Sequence, residues 1–175
     1  KVMAHTLAEL GADLILLDLP EANFAALEHD LTSKWSVNVK LLVCDLEIEA
    51  DRIKIIDDVS NDRMGLNILI NNAAINPKYT AENKGVMFSR VENLSLDDWN
   101  YQVLVGLTGA FICSKYFGAK MAANKKGVIL NISSDLSVIA PDQRLYKVSG
   151  AEESLQPVKP ITYSVIKSGL VGMTK

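Results

Sequence analysis

Four short apolar runs, separated by longer stretches of helical character, constrain this chain more than any other feature: Ala12–Asp18 (ADLILLD), Asn38–Cys44 (NVKLLVC), Leu66–Asn71 (LNILIN) and Val128–Ile132 (VILNI). Each is nearly continuous in apolar residues. A strand with water on one face alternates and a strand covered on both faces does not, so these runs predict strands of a parallel sheet. Between them the pattern is helical. Lys1–Leu10 places Val2, Met3, Leu7 and Leu10 at helical spacing and stops at Gly11, a residue suited to ending helices. Pro20 opens a second helix running to about Ser33, because proline suits a first helical turn. Glu47–Val59 is the third, and Ser95 with Leu96-Asp97-Asp98 forms an approximate capping box opening a long helix to about Asn124. A last helix starts near Tyr163 and reaches the end of the chain.

Strand–helix alternation of this kind builds βαβ units, so the expected fold is α/β, a doubly wound parallel sheet of the Rossmann-like type. Such a fold starts with a strand and a glycine-rich turn, with an acidic residue about 20 positions later. If Asp18 is that acid, the glycines lie before Lys1. The expectation is therefore a partial fold, lacking the first strand, its glycine-rich loop and the C-terminal strands. Residues 1–175 are read as one partial dinucleotide-binding catalytic domain, without internal repeats or linkers. Two longer loops, Ile75–Asn93 and Asp135–Pro160, follow strand C-termini, where sheets of this type bind ligands.

Composition narrows the function classes. A net charge of −3 offers no basic excess for nucleic acid or an anionic membrane surface. No apolar run approaches membrane-spanning length, and Lys1–Leu10 does not resemble a cleavable signal. Cys44 and Cys113 are far apart and lack metal-ligand spacing, so no metal is expected and a reduced cytoplasmic setting is the simpler reading.

The chemistry concentrates in Tyr163-Ser164-Val165-Ile166-Lys167. Tyrosine and lysine four apart share one face of a helix. A phenol ordinarily loses its proton at about pH 10, too high for efficient proton transfer at neutral pH, and a neighbouring ammonium favours the phenolate. Spacing alone is weak, since Tyr116 and Lys120 repeat it inside the long helix. Context separates the two. Tyr163 follows a strand ending Asn131-Ile132-Ser133-Ser134, which brings a serine hydroxyl to a strand tip, whereas Tyr116 precedes that strand.

Together the stretches LNILINNAAI (Leu66–Ile75), WNYQVLVGLTGAF (Trp99–Phe111), GVILNISS (Gly127–Ser134) and YSVIKSGLVGMTK (Tyr163–Lys175) resemble the classical branch of the short-chain dehydrogenase/reductase family. They stand in family order over nearly the whole chain. The resemblance implies an NAD(P)-dependent oxidoreductase moving hydride between nicotinamide and an alcohol or carbonyl substrate. It implies Tyr163 as the general acid/base and Ser134 as the group holding the substrate oxygen. It implies Lys167 as the ammonium that stabilises the phenolate and hydrogen-bonds the nicotinamide ribose, so that Tyr163 and Lys167 also face the cofactor. Asn71-Asn72-Ala73-Ala74 resembles the family's Asn-Asn-Ala-Gly turn, with Asn72, Ala73 and Ala74 along the cofactor. Asp45 and Leu46 match the adenine-contacting pair. Asp18 matches the acid that accepts from the adenosine ribose hydroxyls, and a carboxylate there repels the extra phosphate of NADP. NAD is the expected cofactor, with NADP the alternative.

The larger departure from the family is Gly106, where asparagine is usual within a stretch like Asn-Leu-Thr-Gly. Glycine still presents the carbonyl that in the family holds a water beside the lysine, and it accepts irregular backbone angles. His5 and His29 fall on early helices and read as surface or packing residues, and Cys113 reads as core. Gly169 and Gly172, with Val165, suit close packing against a second subunit, as in the homodimers and homotetramers of the family, or packing within one chain.

The loop Asp135–Thr162 is longer than the family usually has and carries Arg144, Tyr146, Lys147 and Lys159. Such cations suit a polar or acidic substrate, a sugar or sugar acid. The segment VKPITYSVIKSGLVGMTK is similar, less specifically, to short-chain reductases of bacterial surface-sugar and flagellin-modification pathways. Two other readings stand beside the oxidoreductase: a sugar-nucleotide epimerase or dehydratase of the extended family, and a dinucleotide-binding protein without turnover.

Overall fold

A computed structural model describes residues 1–20, 22, 24–61, 65–75 and 89–175. The chain forms two compact units, Lys1–Asn61 and Asp62–Lys175.

The first unit runs α1 (Val2–Glu9), β1 (Leu14–Asp18), α2 (Phe24–Lys34), β2 (Val39–Val43) and α3 (Glu49–Ser60). Gly11 follows α1 at φ +83°, a left-handed conformation that costs glycine little and turns the chain into β1. β1 and β2 pair in parallel, Leu14 opposite Val39 and Asp18 opposite Val43, with α2 as the crossover. Leu14, Leu16 and Val39 join a core with Ala4, Ala8 and Leu31, so that α1 and α2 cover this face of the pair. His5 belongs to this packing, edge-on to Trp35 at 5.5 Å and 3.3 Å from Asp30.

The second unit contains β3 (Ile68–Asn71), α4 (Leu96–Val103), a π-helical turn (Leu104–Thr108), α5 (Gly109–Ala123), β4 (Val128–Asn131) and α6 (Ile161–Thr174). β3 and β4 also pair in parallel, Ile68 opposite Val128 and Asn71 opposite Asn131. The Ser95 hydroxyl accepts from the Asp98 backbone N–H at 3.0 Å and donates to the Asp98 carboxylate at 2.6 Å, capping α4 as its sequence predicts. Of the expected loop Ile75–Asn93, residues 76–88 lie outside the described residues. The second expected loop is held in short 3-10 turns at Asp135–Ser137, Gln143–Tyr146 and Glu153–Leu155.

On the strands Leu17, Val43, Ile68, Val128 and Leu130 are each 40–56% exposed. Each strand has one hydrogen-bonded neighbour within its unit. Their apolar runs therefore carry more hydrophobic surface than either pair alone buries. The long helix, in turn, is not uniformly α. Its π turn centres on Gly106, whose φ lies outside the left-handed region, so conformational freedom does not explain the glycine. Space does. A β-carbon on Gly106 would lie 2.9 Å from Ile166 Cγ2, and Ile166 is itself buried with Ala110 and Leu170. A β-branched side chain has few other rotamers to retreat to. Gly169 is confined in the same way, its β-carbon position 2.8 Å from Leu107, whereas Gly172 has nothing within 4 Å.

Gly106→Ala is expected to lower stability by about 1–3 kcal/mol through overpacking, and to cost much less in an Ile166→Ala background. Urea denaturation of the four variants of this cycle measures the coupling, and additive effects would refute the packing account.

Candidate active site

The site in the second unit is built by sewing α6 to the tip of β4. Ser133 Oγ donates to the Lys167 carbonyl at 2.9 Å, and Lys167 Nζ donates back to the Ile132 carbonyl. Ser168 Oγ donates to the Ser137 carbonyl at 2.9 Å, and Ser137 Oγ to the Ser134 carbonyl at 2.6 Å. The 3-10 turn beginning at Ser134 thereby packs on α6. At the other side of the helix the buried Thr162 hydroxyl donates to Gln102 Oε1 of α4 at 2.6 Å. α6 is fixed from both directions.

Tyr163 and Lys167 lie together on α6 as their spacing predicts, with the Lys167 ammonium 5.6 Å from the phenol ring centre. Lys167 is only 4% exposed, and burial pulls its pKa below the ordinary lysine value. A second ammonium, from Lys159, sits 3.7 Å from the same ring centre. Its pKa is also lowered, by burial first and then by repulsion from Lys167. Ser134 stands where the chain leaves β4. Its hydroxyl donates to Asp135 Oδ1 at 2.8 Å and accepts from the Leu136 N–H at 3.2 Å.

The Asn71 pair divides by function of position. Asn71 Nδ2 donates to Asn131 Oδ1 at 2.8 Å and to Ser114 Oγ at 3.1 Å, and Asn131 Nδ2 reaches Thr174 Oγ1 at 2.9 Å. One polar chain thus ties α5, β3, β4 and α6. Asn72, Ala73 and Ala74 follow β3 as exposed backbone with small side chains.

In the first unit, Asp18 ends β1, exposed, with Oδ1 accepting from the Leu19 N–H at 2.9 Å. Asp45 and Leu46 follow the neighbouring β2 at the same strand ends. Asp45 Oδ1 accepts from the Glu47 N–H at 2.9 Å, and the Leu46 carbonyl accepts from Arg52 at 2.6 Å. The Asp18 carbonyl accepts from the Cys44 N–H at 3.0 Å, which holds the two strand ends in register. The structure thus brings Ser134, Tyr163 and Lys167 onto one helix–strand junction, and Asp18, Asp45 and Leu46 onto one pair of strand ends.

Sequence reasoning missed the supports. Ser133, Gln102, Thr162 and Asn131 make contacts distant in sequence, and no local pattern marks them. Cys113 is no nucleophile candidate, since burial pushes its thiol up to about 11. Among the described residues no group of three or more His, Cys, Asp or Glu could hold a metal ion, and no helix is long and apolar enough to cross a membrane.

The family model described as short chain dehydrogenase matches residues 1–149. The chain is 27% identical over 175 residues to a 3-oxoacyl-(acyl-carrier-protein) reductase of Aquifex aeolicus, covering all of this chain and 60% of that protein. It is 24% identical over 186 residues to an NAD-dependent glycerol dehydrogenase of Listeria innocua, covering all of this chain and 57% of that one. The chain therefore spans less than two thirds of the length of these relatives. The bulky-bulky ketone specific alcohol dehydrogenase from Comamonas testosteroni superposes with a TM-score of 0.76 at 19% identity, over 98% of this chain and 58% of that structure. That likeness establishes the Rossmann-like α/β fold. The chain belongs to the short chain dehydrogenase family.

Proposed function

We propose that this chain carries the catalytic half of an NAD(P)-dependent oxidoreductase that interconverts an alcohol and a carbonyl, with Tyr163 exchanging the proton. The observation that carries this reading is the buried Lys167 ammonium, anchored on the Ile132 carbonyl and 5.6 Å from the Tyr163 ring. Burying a cation is costly, and one carbonyl bond returns only part of that cost. A lysine that must steady a phenolate is held better, because the negative charge offsets that cost.

The donor set suits a dinucleotide. In the second unit, Lys167 keeps N–H groups beyond the one given to Ile132, suited to ribose hydroxyls, and Asn72, Ala73 and Ala74 offer exposed backbone unobstructed by large side chains. In the first unit, the Asp18 carboxylate suits the adenosine ribose hydroxyls, and Asp45 with Leu46 the adenine. A bound nicotinamide supplies the hydride acceptor or donor. In the oxidative direction Tyr163 takes the hydroxyl proton as the carbinol carbon gives up hydride, and Lys167 holds the phenolate that receives it. Ser134 orients the substrate oxygen once its hydroxyl turns from Asp135.

The same reading treats residues 1–175 as part of one catalytic domain of a cytoplasmic homodimer or homotetramer, with Gly172 on α6 open to close approach. The substrate class it favours is a polyol, sugar or sugar acid. Support comes from the similarity to the glycerol dehydrogenase and from the cations of the loop before Tyr163. A second reading, dinucleotide binding without turnover, draws its support from Ser134, whose hydroxyl proton points to Asp135.

Tyr163→Phe is expected to lower kcat by roughly 100- to 10,000-fold, the range of a lost proton-transfer group, while NADH still binds in a fluorescence titration. Unchanged turnover would sink the assignment. Wild-type protein is expected to bind NADH more tightly than NADPH. Asp18→Ala should cut that preference by about tenfold or more, since the carboxylate repels the extra phosphate. NADPH preference in the wild type would overturn the role given to Asp18.

A further inference from the structure

The turn that carries Ser134 is fixed along its main chain. On one flank, Ile132 and Ser133 are tied to Lys167. On the other, the Ser134 carbonyl accepts from the Ser137 hydroxyl at 2.6 Å and from the Ser137 N–H at 3.1 Å, and the Ser137 carbonyl accepts from Ser168 of α6 at 2.9 Å. The Asp135 carbonyl accepts from the N–H groups of Val138 and Ile139 at 2.9 and 3.1 Å. Ser134 and Asp135 are thus held against the helix that carries Tyr163 and Lys167. A change in their own hydrogen bonding requires only the rotation of a side chain.

Those two side chains are bonded to each other. Ser134 Oγ donates to Asp135 Oδ1 at 2.8 Å, and the Leu136 N–H reaches both, 3.2 Å from Ser134 Oγ and 2.9 Å from Asp135 Oδ1. A hydroxyl has one proton to donate. While Asp135 receives it, Ser134 offers a substrate oxygen only a lone pair. A carbonyl has no proton to place there, and the single proton of an alcohol is the one that Tyr163 must take. Ser134 can therefore hold the reacting oxygen only after its hydroxyl leaves Asp135. The carboxylate then needs another donor, and once substrate covers the site that donor has to come from the substrate.

A vicinal diol meets this need. Its two gauche oxygens lie about one hydrogen-bond length apart, as do Ser134 Oγ and Asp135 Oδ1. The reacting oxygen can accept from Ser134 while the neighbouring hydroxyl donates to Asp135. One hydrogen bond is exchanged for two. A lone alcohol breaks the same bond and leaves the carboxylate short of a donor, which is the costly outcome. In the reductive direction an α-hydroxy carbonyl stands to a simple ketone as the diol stands to the lone alcohol.

We propose that Asp135 is a specificity-determining residue of the Tyr163 site. Its carboxylate accepts from the hydroxyl next to the reacting carbon, and that bond releases the Ser134 hydroxyl to the reacting oxygen. This rests on the oxidoreductase reading above and narrows its substrate class to vicinal diols and the matching hydroxy-carbonyls.

The test is steady-state kinetics of the full-length protein with NAD, using vicinal diols of three to six carbons and the secondary alcohols that lack only the terminal hydroxyl. Wild type is expected to favour the diols. Asp135→Ala should lower kcat/KM for the diols by roughly 10- to 100-fold, the scale of one lost hydrogen bond to a charged group. For the lone alcohols the same change should leave kcat/KM equal or higher, because Ser134 is no longer held. Asp135→Asn keeps a neutral acceptor and should give a diol-to-alcohol ratio between the two. Equal losses on both substrate sets would mark Asp135 as a structural part of the turn and overturn the proposal. Lone alcohols turned over by the wild type as well as the diols would overturn it too, while leaving the oxidoreductase reading intact. No turnover of either set with NADH bound would overturn both.

Discussion

Lys167 is the interaction on which the second unit depends. Its ammonium is buried under the end of β4, where a cation loses most of its hydration and must be compensated by nearby oxygen. The Ile132 carbonyl supplies one such oxygen. For that carbonyl to be within reach, α6 must lie tightly against the strand tip. Ser133 secures the approach by bonding the Lys167 carbonyl from the other direction. The two hydrogen bonds form a clamp around one residue, and Tyr163, one helical turn earlier, is positioned by the same clamp.

Close approach on the opposite side of α6 has a steric counterpart. Ile166 precedes Lys167 and fills the space over Gly106, while Leu107 fills the space over Gly169. Each helix thus supplies a glycine where the other supplies a branched side chain. The asparagine usual in the family could not occupy position 106 with Ile166 in this place. The backbone is irregular here all the same, since the π turn Leu104–Thr108 forms without an asparagine side chain. The departure at Gly106 reads as repacking of a helix contact, and the Tyr163–Lys167 pair is retained beside it.

Much of this was legible in the chain. The four strands fall within their predicted runs, and the last helix begins two residues before Tyr163, at Ile161. Ser95 caps α4 as its pattern suggests. These features rest on local rules: apolar periodicity, capping geometry and the i, i+4 face of a helix. A continuous apolar run states what a strand can bury, and the number of neighbouring elements determines what it does bury. The roles of the loop cations were not legible. Arg144, Lys147 and Lys159 look alike in sequence, but Asp142 and Glu153 take the first two and Tyr163 receives the third.

The sequence by itself determined the parallel α/β elements, the family and the shared helix face of Tyr163 and Lys167, because those depend on residue type at fixed short spacing. Only the tertiary structure decided which polar groups hold the site together. Asn71 meets Asn131, Thr162 meets Gln102, and Lys159 is gripped by Gln143 across separations of 60, 60 and 16 residues. A hydrogen bond needs its partners within about 3 Å at the right angle, and no spacing rule along a chain specifies which distant residues folding will bring that close.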